Sequence, residues 1–175
     1  NTFLVAQGTP IGASIAEPNM VETAKRILDV AASNGCKLLL PRDVVVASEF
    51  KLGATHRIAN IDDVAQGEMI LDHGPETVAT AGVFLKDCAT IVWNGPMGAF
   101  EIPPFDAATN ALAKIVAAKT QNNGVMSIAG GGDTMAALAN AGVSHQFSYV
   151  STAGGAFLEW LEGKRLPGVE ALRKG

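Results

Sequence analysis

Hydrophobic residues recur along this chain at two alternating spacings. Spacing of three to four residues predicts helices at 17–34, 75–86 and 105–119, with two shorter ones after Asp133 and after STAGGA at 151–156. Pro18 suits the first turn of the first helix, and Gly35 suits its end. Short apolar runs between these helices predict strands: LLLP at 38–41, VVVA at 44–47, TIVWNG at 90–95, VMSIAG at 125–130 and FSYVST at 147–152.

Helices that alternate with apolar strands predict an α/β fold with a parallel sheet flanked by helices. The strand runs lack polar alternation, as expected for strands covered on both faces. Segment 51–74 is more polar and irregular, and we interpret it as an excursion with one short strand, MILD at 69–72. No linker, repeat or low-complexity tract divides the 175 residues, so we expect one domain over 1–175.

Composition and charge argue against several classes of protein. The net charge of −4 and the scattered Lys and Arg residues argue against a nucleic-acid surface. Cys36 and Cys88 have no partner at metal-ligand spacing, so neither zinc nor a disulfide framework is indicated and we expect a cytoplasmic protein. No apolar stretch is long enough to cross a membrane.

The segment AGGGDT at 129–134 is the first candidate site. Gly130, Gly131 and Gly132 permit close approach to a helix N-terminus, whose free amides attract anions. Asp133 is poorly placed for a bare phosphate but suited to Mg²⁺ on a polyphosphate, and Thr134 could add a hydroxyl. The alternative is that Asp133 merely caps the helix.

Two further glycine-bearing segments, NGPMGAFE at 94–101 and STAGGA at 151–156, also follow predicted strands. The carboxyl ends of parallel strands share one sheet edge, where ligands bind, so we expect the three segments to gather there. In NGPMGAFE, Glu101 suits ribose hydroxyls, and the alternative is a tight turn in which Asn94 bonds its own backbone. We expect Trp93 to be a core residue. Neither a P-loop nor a dinucleotide fingerprint is present.

Taken in order, NTFL, VWNGPMGAFE, IAGGGDT, STAGGAFLEWLEGK and LPGV resemble the C-terminal nucleotide-binding domain of the phosphoglycerate kinase family over the whole chain. The resemblance implies a Rossmann-like, doubly wound sheet. It also implies phosphoryl transfer between 1,3-bisphosphoglycerate and ADP in glycolysis, giving 3-phosphoglycerate and ATP, with Mg²⁺ bound through the nucleotide. An unrelated α/β protein that binds sugar phosphates is a remoter alternative.

The resemblance also implies residue roles. Glu101 would hold the ribose, and amides of Gly154 and Gly155 would meet the transferring phosphoryl group. Asp133 would be linked to Mg²⁺. The remaining nucleotide contacts would be Asn94, Pro96, Gly98, Gly131, Gly132 and Thr134. Ala153 stands where the family usually has glycine, and would be strained if that position needs a positive φ.

Finally, the resemblance implies that the family's phosphoglycerate-binding domain, two strands and a glycine-lysine segment lie upstream of these residues. We therefore expect an incomplete nucleotide domain that is inactive alone, from an enzyme that is monomeric when intact. The alternative is a non-catalytic nucleotide-binding module or an inert proteolytic core. An exposed sheet edge would favour pairing between copies.

Overall fold

The computed structural model describes residues 1–151 and 154–173, which divide into two compact units. Unit 1 comprises Asn1–Phe84 and Met97–Ala108, and unit 2 comprises Leu85–Pro96 and the described part of Thr109–Gly175. The expectation of a single domain over 1–175 stays a prediction. No helix within the described ranges is long and apolar enough to cross a membrane.

Unit 1 contains an antiparallel sheet and three helices. The sheet has the order β2-β1-β3, with β1 at Asp43–Ala47, β2 at His56–Asn60 and β3 at Met69–His73. The helices are α1 at Thr2–Ala6, α2 at Val21–Ser33 and α3 at Pro75–Phe84. A 3₁₀ turn at Pro18–Met20 leads into α2, so the predicted helix at 17–34 is confirmed.

Strand β1 is the centre of this sheet. All five of its residues are buried, because β2 and β3 flank it and side chains cover both faces. One face packs with Ala59 and Val64, and the other with Ala54 and Phe105. The prediction of a strand covered on both faces at 44–47 is therefore confirmed, but both of its neighbours are antiparallel rather than parallel.

Two further expectations for unit 1 need correction. LLLP at 38–41 is not a strand, since no described strand pairs with it, and Leu38 and Leu39 remain partly exposed. The excursion at 51–74 contains two strands instead of one. MILD is part of β3 as predicted, whereas β2 escaped prediction because four of its five residues are exposed and Ala59 alone is buried. Edge strands of this kind lack an apolar pattern.

Unit 2 contains the parallel sheet that the sequence predicts. Its order is β4-β5-β6, and helices flank it: β4 spans Thr90–Asn94, β5 Met126–Gly130 and β6 Tyr149–Ser151. The helices are α4 at Ala107–Asn123, of which all but Ala107 and Ala108 belong to unit 2, α5 at Gly132–Asn140, α6 at Gly154–Leu161 and α7 at Pro167–Arg173. The α/β class is confirmed, while α1 and α7 were not predicted.

Candidate functional site

The carboxyl ends of the three parallel strands lie side by side in unit 2. Asn94 pairs with Gly130, and Gly130 pairs with Ser151, so the chain leaves all three strands at one level. Segments 94–96 and 131–134 follow directly from the first two of these strand ends, and α6 begins at Gly154. The strand ends therefore gather as expected, for the described part of each segment that belongs to unit 2.

The start of α5 is built from glycine backbone rather than from a side-chain cap. Gly131 is the residue before the helix and has a φ of 103°, in the left-handed region that favours glycine. Asp133 lies inside the first turn and is exposed, and no side-chain cap hydrogen bond is formed at this helix start. Asp133 is therefore not the N-cap, and that alternative was wrong.

Thr134 joins two of the glycine-bearing segments. Its side chain is buried, and its Oγ1 accepts a hydrogen bond from the Gly95 amide at 2.7 Å. A Cβ built on Gly131 would lie 3.5 Å from Thr134 Oγ1 and 3.8 Å from Asn94 Oδ1, so these three residues converge. Sequence reasoning did not predict the bond to Gly95, because 39 residues separate its partners. A contact of Thr134 with phosphate stays a prediction.

The turn after β4 is fixed by backbone and by Trp93. Gly95 has a φ of 84°, and the Trp93 indole Nε1 donates to the Gly95 carbonyl at 2.6 Å. Trp93 is buried and meets the Phe147 ring edge-on, with centroids 6.2 Å apart, which confirms that it is a core residue. The Asn94 side chain is exposed beside this turn.

The second half of NGPMGAFE belongs to unit 1, where it lies against β3. A Cβ on Gly98 would come within 2.2 Å of Asp72 Oδ1 and 2.7 Å of the Leu71 carbonyl, so only glycine fits there. The Ala99 amide donates to the same Leu71 carbonyl at 2.8 Å. Gly98 thus has a packing reason of its own. Glu101 is exposed, and its predicted ribose contact stays a prediction.

Asp72 is a buried carboxylate beside Gly98 that the sequence did not single out. It is 1% exposed, and burial raises the pKa of its carboxyl to about 6. Amides of Ala108 and His73 donate to it, each at 2.9 Å, and oppose that rise. The apolar run before Asp72 gives no signal for a buried carboxylate, and the helix amide that binds it, that of Ala108, lies 36 residues further along the chain.

A cavity of about 410 Å³ also lies within unit 1. Its walls include the apolar side chains Leu4, Leu39, Leu40, Ile70 and Leu71, with Asp72 and His73 among the polar ones. The His73 Nδ1 is buried without a hydrogen-bond partner, and burial lowers the pKa of this imidazole. His73 belongs to none of the three glycine-bearing segments.

The third glycine-bearing segment is described in part. Helix α6 begins at Gly154, and Gly155 is exposed with nothing within 4 Å of an added Cβ. Thr152 and Ala153 lie outside the described residues, as does the expectation of strain at Ala153. The predicted roles of Gly154 and Gly155 at a phosphoryl group stay predictions.

The donor set bears on Mg²⁺. Within residues 1–151 and 154–173, no group of three His, Cys, Asp or Glu side chains could hold a metal ion. A lone exposed carboxylate at Asp133 nevertheless fits Mg²⁺, which keeps several waters and is commonly held by one or two carboxylates together with substrate phosphates. The donors present therefore suit a metal ion that arrives on a nucleotide rather than one caged by protein.

Comparisons with known proteins agree over nearly the whole chain. The family model described as phosphoglycerate kinase matches residues 1–164. The phosphoglycerate kinase of Rhodospirillum centenum is 60% identical over 98% of this chain, and that of Azorhizobium caulinodans is 59% identical over 99%. The solved phosphoglycerate kinase of Coxiella burnetii, 49% identical, superimposes on 97% of this chain with a TM-score of 0.91.

These matches cover less than half of each relative. The chain spans 43% of the length of the Rhodospirillum centenum protein, 44% of the Azorhizobium caulinodans protein and 43% of the Coxiella burnetii protein. The family model extends to residue 164, so the matched region includes every described residue of the three glycine-bearing segments.

Proposed function

The chain belongs to the phosphoglycerate kinase family, and on that basis we propose that it supplies the nucleotide contacts of an enzyme that transfers a phosphoryl group between 1,3-bisphosphoglycerate and ADP. The products are 3-phosphoglycerate and ATP, and the setting is glycolysis in the cytoplasm. Cys36 and Cys88 form no disulfide within the described residues, which suits a reducing compartment.

The start of α5 is the observation that carries the nucleotide proposal. Gly131 and Gly132 leave its first amides open to a ligand, and the partial positive charge of a helix N-terminus favours phosphate oxygens. Asp133, exposed and uncommitted to capping, faces solvent at the same turn. We assign the nucleotide phosphates to Gly131, Gly132 and Thr134, and the Mg²⁺ to Asp133 through the nucleotide.

The remaining nucleotide contacts are assigned to each unit separately. In unit 2, Asn94 presents an exposed amide beside Gly131, and Pro96 stiffens the turn that carries it. In unit 1, Gly98 brings backbone close to a ligand, and the exposed Glu101 carboxylate accepts from ribose hydroxyls.

The chemistry proposed for these residues is positioning and electrostatics rather than covalent catalysis. In phosphoryl transfer the attacking and leaving oxygens lie in line, and negative charge spreads over the equatorial oxygens. Amides of Gly154 and Gly155 at the start of α6 would donate to those oxygens. Mg²⁺, when bound with the nucleotide, neutralises phosphate charge, and Asp133 orients it.

A second candidate is a nucleotide-binding module without turnover. It is favoured by the composition of the three glycine-bearing segments, which contain no Lys or Arg to balance a transferring phosphoryl group. Both candidates require the nucleotide site, so binding is the first quantity to measure.

The deciding experiment is a calorimetric titration of the chain with ADP and Mg²⁺, repeated on Asp133→Asn. We expect binding that weakens by about tenfold or more in the variant, because a charged metal ligand is lost. Glu22→Gln is the matched control, since it removes an exposed carboxylate from the first turn of α2, where it contacts Lys25 instead. Its affinity should equal that of the parent.

Each outcome separates the possibilities. Equal affinity in the parent and Asp133→Asn would remove Asp133 from the metal assignment. Absence of binding in every variant would show that the glycine-bearing segments of this chain do not form a nucleotide site by themselves.

A further inference from the structure

Asp72 occupies an unusual position at the end of β3. Its carboxylate is buried, and the groups that satisfy it are backbone amides rather than a cation: Oδ2 accepts from Ala108 and Oδ1 accepts from His73. Ala107 and Ala108 are the first two residues of α4, whose N-terminal charge favours an anion there. The carboxylate therefore holds the start of α4 against β3.

The same carboxylate also packs against Gly98 in segment 97–101. Gly98 touches Asp72 Oδ1 so closely that an added Cβ would stand 2.2 Å away. The next residue, Ala99, is tied by its amide to Leu71, the neighbour of Asp72 in β3. Asp72 thus contacts both ends of the stretch 98–108, which carries Glu101.

Unit 1 contains a second buried aspartate that accepts hydrogen bonds from the first amides of a helix, but this one does not contact segment 97–101 in the described structure. Asp43 in β1 accepts from the amides of Glu76 and Thr77 at the start of α3, and a Cβ on Gly74 would lie 2.2 Å from its carboxylate. Gly74 immediately precedes α3, so this arrangement fixes the start of a helix. Asp43 therefore provides a control of matched chemistry.

We propose that Asp72 is a positioning residue for segment 97–101, which it orients through its contacts with Gly98 and with the start of α4. The consequence for nucleotide affinity rests on the proposed function, since Gly98 and Glu101 are assigned to the nucleotide. The orienting role itself is a property of unit 1 and is measurable without a ligand.

The positioning role of Asp72 can be tested by changing the charge of its carboxyl group with pH. Burial raises the pKa of its carboxyl to about 6, the Ala108 and His73 amides lower it, and the nearby Asp106 carboxylate raises it further. His73, the other titratable neighbour, has a pKa lowered by burial and brings no compensating positive charge near neutrality. Asp72 consequently changes charge in mild acid, where an ordinary aspartate stays ionised.

The first measurement is an NMR titration of the ligand-free chain between about pH 4.5 and 8, a window set by that pKa. We expect the amide signals of Gly98, Ala99 and Ala108 to shift with one midpoint, shared with the Asp72 carboxyl carbon. The shifts should be absent in Asp72→Asn and present in Asp43→Asn. Loop signals that stay constant in the parent, or that titrate equally in Asp72→Asn, would overturn the proposal, and the parent alone suffices for this if the variant does not fold.

The second measurement is Mg-ADP affinity at pH 7.5. A displaced binding loop costs about tenfold or more, so Asp72→Asn should bind that much more weakly, whereas Asp43→Asn should stay within about threefold of the parent. Equal losses in both variants would reduce Asp72 to a general stabiliser and overturn its positioning role. If no variant and no parent binds Mg-ADP, the nucleotide function fails, and the NMR titration alone decides the role of Asp72.

Discussion

Gly131 and Gly132 are neighbours, but a side chain would meet different obstacles at each. Gly131 has a φ of 103°, so any other residue is strained there by about 1–3 kcal/mol. Gly132 lacks a positive φ, and an added Cβ would find open space. The fold therefore explains the first glycine, whereas the second has no reason within the described structure to lack a side chain.

This contrast gives a prediction for Gly132→Ala. The substitution should raise the free energy of unfolding by about 0.5–1 kcal/mol, because alanine loses less backbone entropy in a helix. It should weaken Mg-ADP binding by about tenfold or more, since a methyl group would block approach to the first amides of α5. Urea unfolding and calorimetry measure the two effects.

Gly168→Ala is the matched control. Gly168 also lies in the first turn of a helix, α7, with open space around an added Cβ, and it belongs to no proposed site. It should show a similar gain in stability with unchanged affinity. A Gly132→Ala chain that binds Mg-ADP as well as the parent would mean that no phosphate approaches this turn.

At the scale of elements, the Asp43 carboxylate in β1 accepts hydrogen bonds from the start of α3 and so ties this helix to the sheet. Burial by itself would raise the pKa of Asp43, but hydrogen bonds from the Thr77 hydroxyl and from the Glu76 and Thr77 amides outweigh it, so the pKa lies below the ordinary 3.8. A carboxyl with a depressed pKa in the folded state stabilises the fold above pH 3.8, and that contribution is lost as the pH falls through the folded pKa.

Asp43→Asn should therefore lower the free energy of unfolding at pH 7 by about 1–3 kcal/mol, and its deficit should shrink below about pH 4. Urea unfolding at both pH values measures this. Glu76→Gln removes the exposed contact with Arg42 at 3.4 Å and one negative charge from the first turn of α3, and it should cost under about 1 kcal/mol. A deficit for Asp43→Asn that is the same at both pH values would contradict the charge argument.

Strand β4 is an edge of the parallel sheet, since no second strand pairs with it among the described residues. Open edges favour pairing between chains, so we expect the mass measured by light scattering to rise with concentration. Val92→Lys, at a half-exposed position of β4, should suppress that rise. Val83→Lys places the same charge at an exposed position of α3 and should not. A mass that stays monomeric throughout would exclude edge pairing.

The elements that the sequence predicts are those whose signal is local. Helix α2 shows its helical spacing, and strand β5 its apolar run, within about a dozen residues, and both are confirmed. The run at 38–41 has the composition of a strand, but a strand also needs a partner, which local sequence does not specify. Strand β2 was missed for the opposite reason, because its register with β1 makes it a strand despite its exposed side chains.

At the scale of the whole molecule, some features of the candidate site also have a local signal in the sequence, whereas others depend on residues far apart in the chain. Gly131 and Asp133 stand out in the sequence because glycine runs and acids at helix starts have local causes. The bond between Thr134 and Gly95 and the contact between Asp72 and Gly98 join residues 39 and 26 positions apart. Such contacts depend on how strands are arranged, and therefore required the structure.

The charge of the whole chain leads to the last prediction, which concerns turnover. The net charge is −4, and the three glycine-bearing segments contain no Lys or Arg, whereas phosphoryl transfer needs cations around the transferring group. Binding and turnover should therefore separate in these 175 residues. We expect Mg-ADP to bind while no ATP forms from 1,3-bisphosphoglycerate and ADP above the background without protein, as followed by a luciferase assay. ATP formation that scales with chain concentration and disappears in Asp133→Asn would show instead that glycine amides and Mg²⁺ suffice to balance the charge of the transferring group.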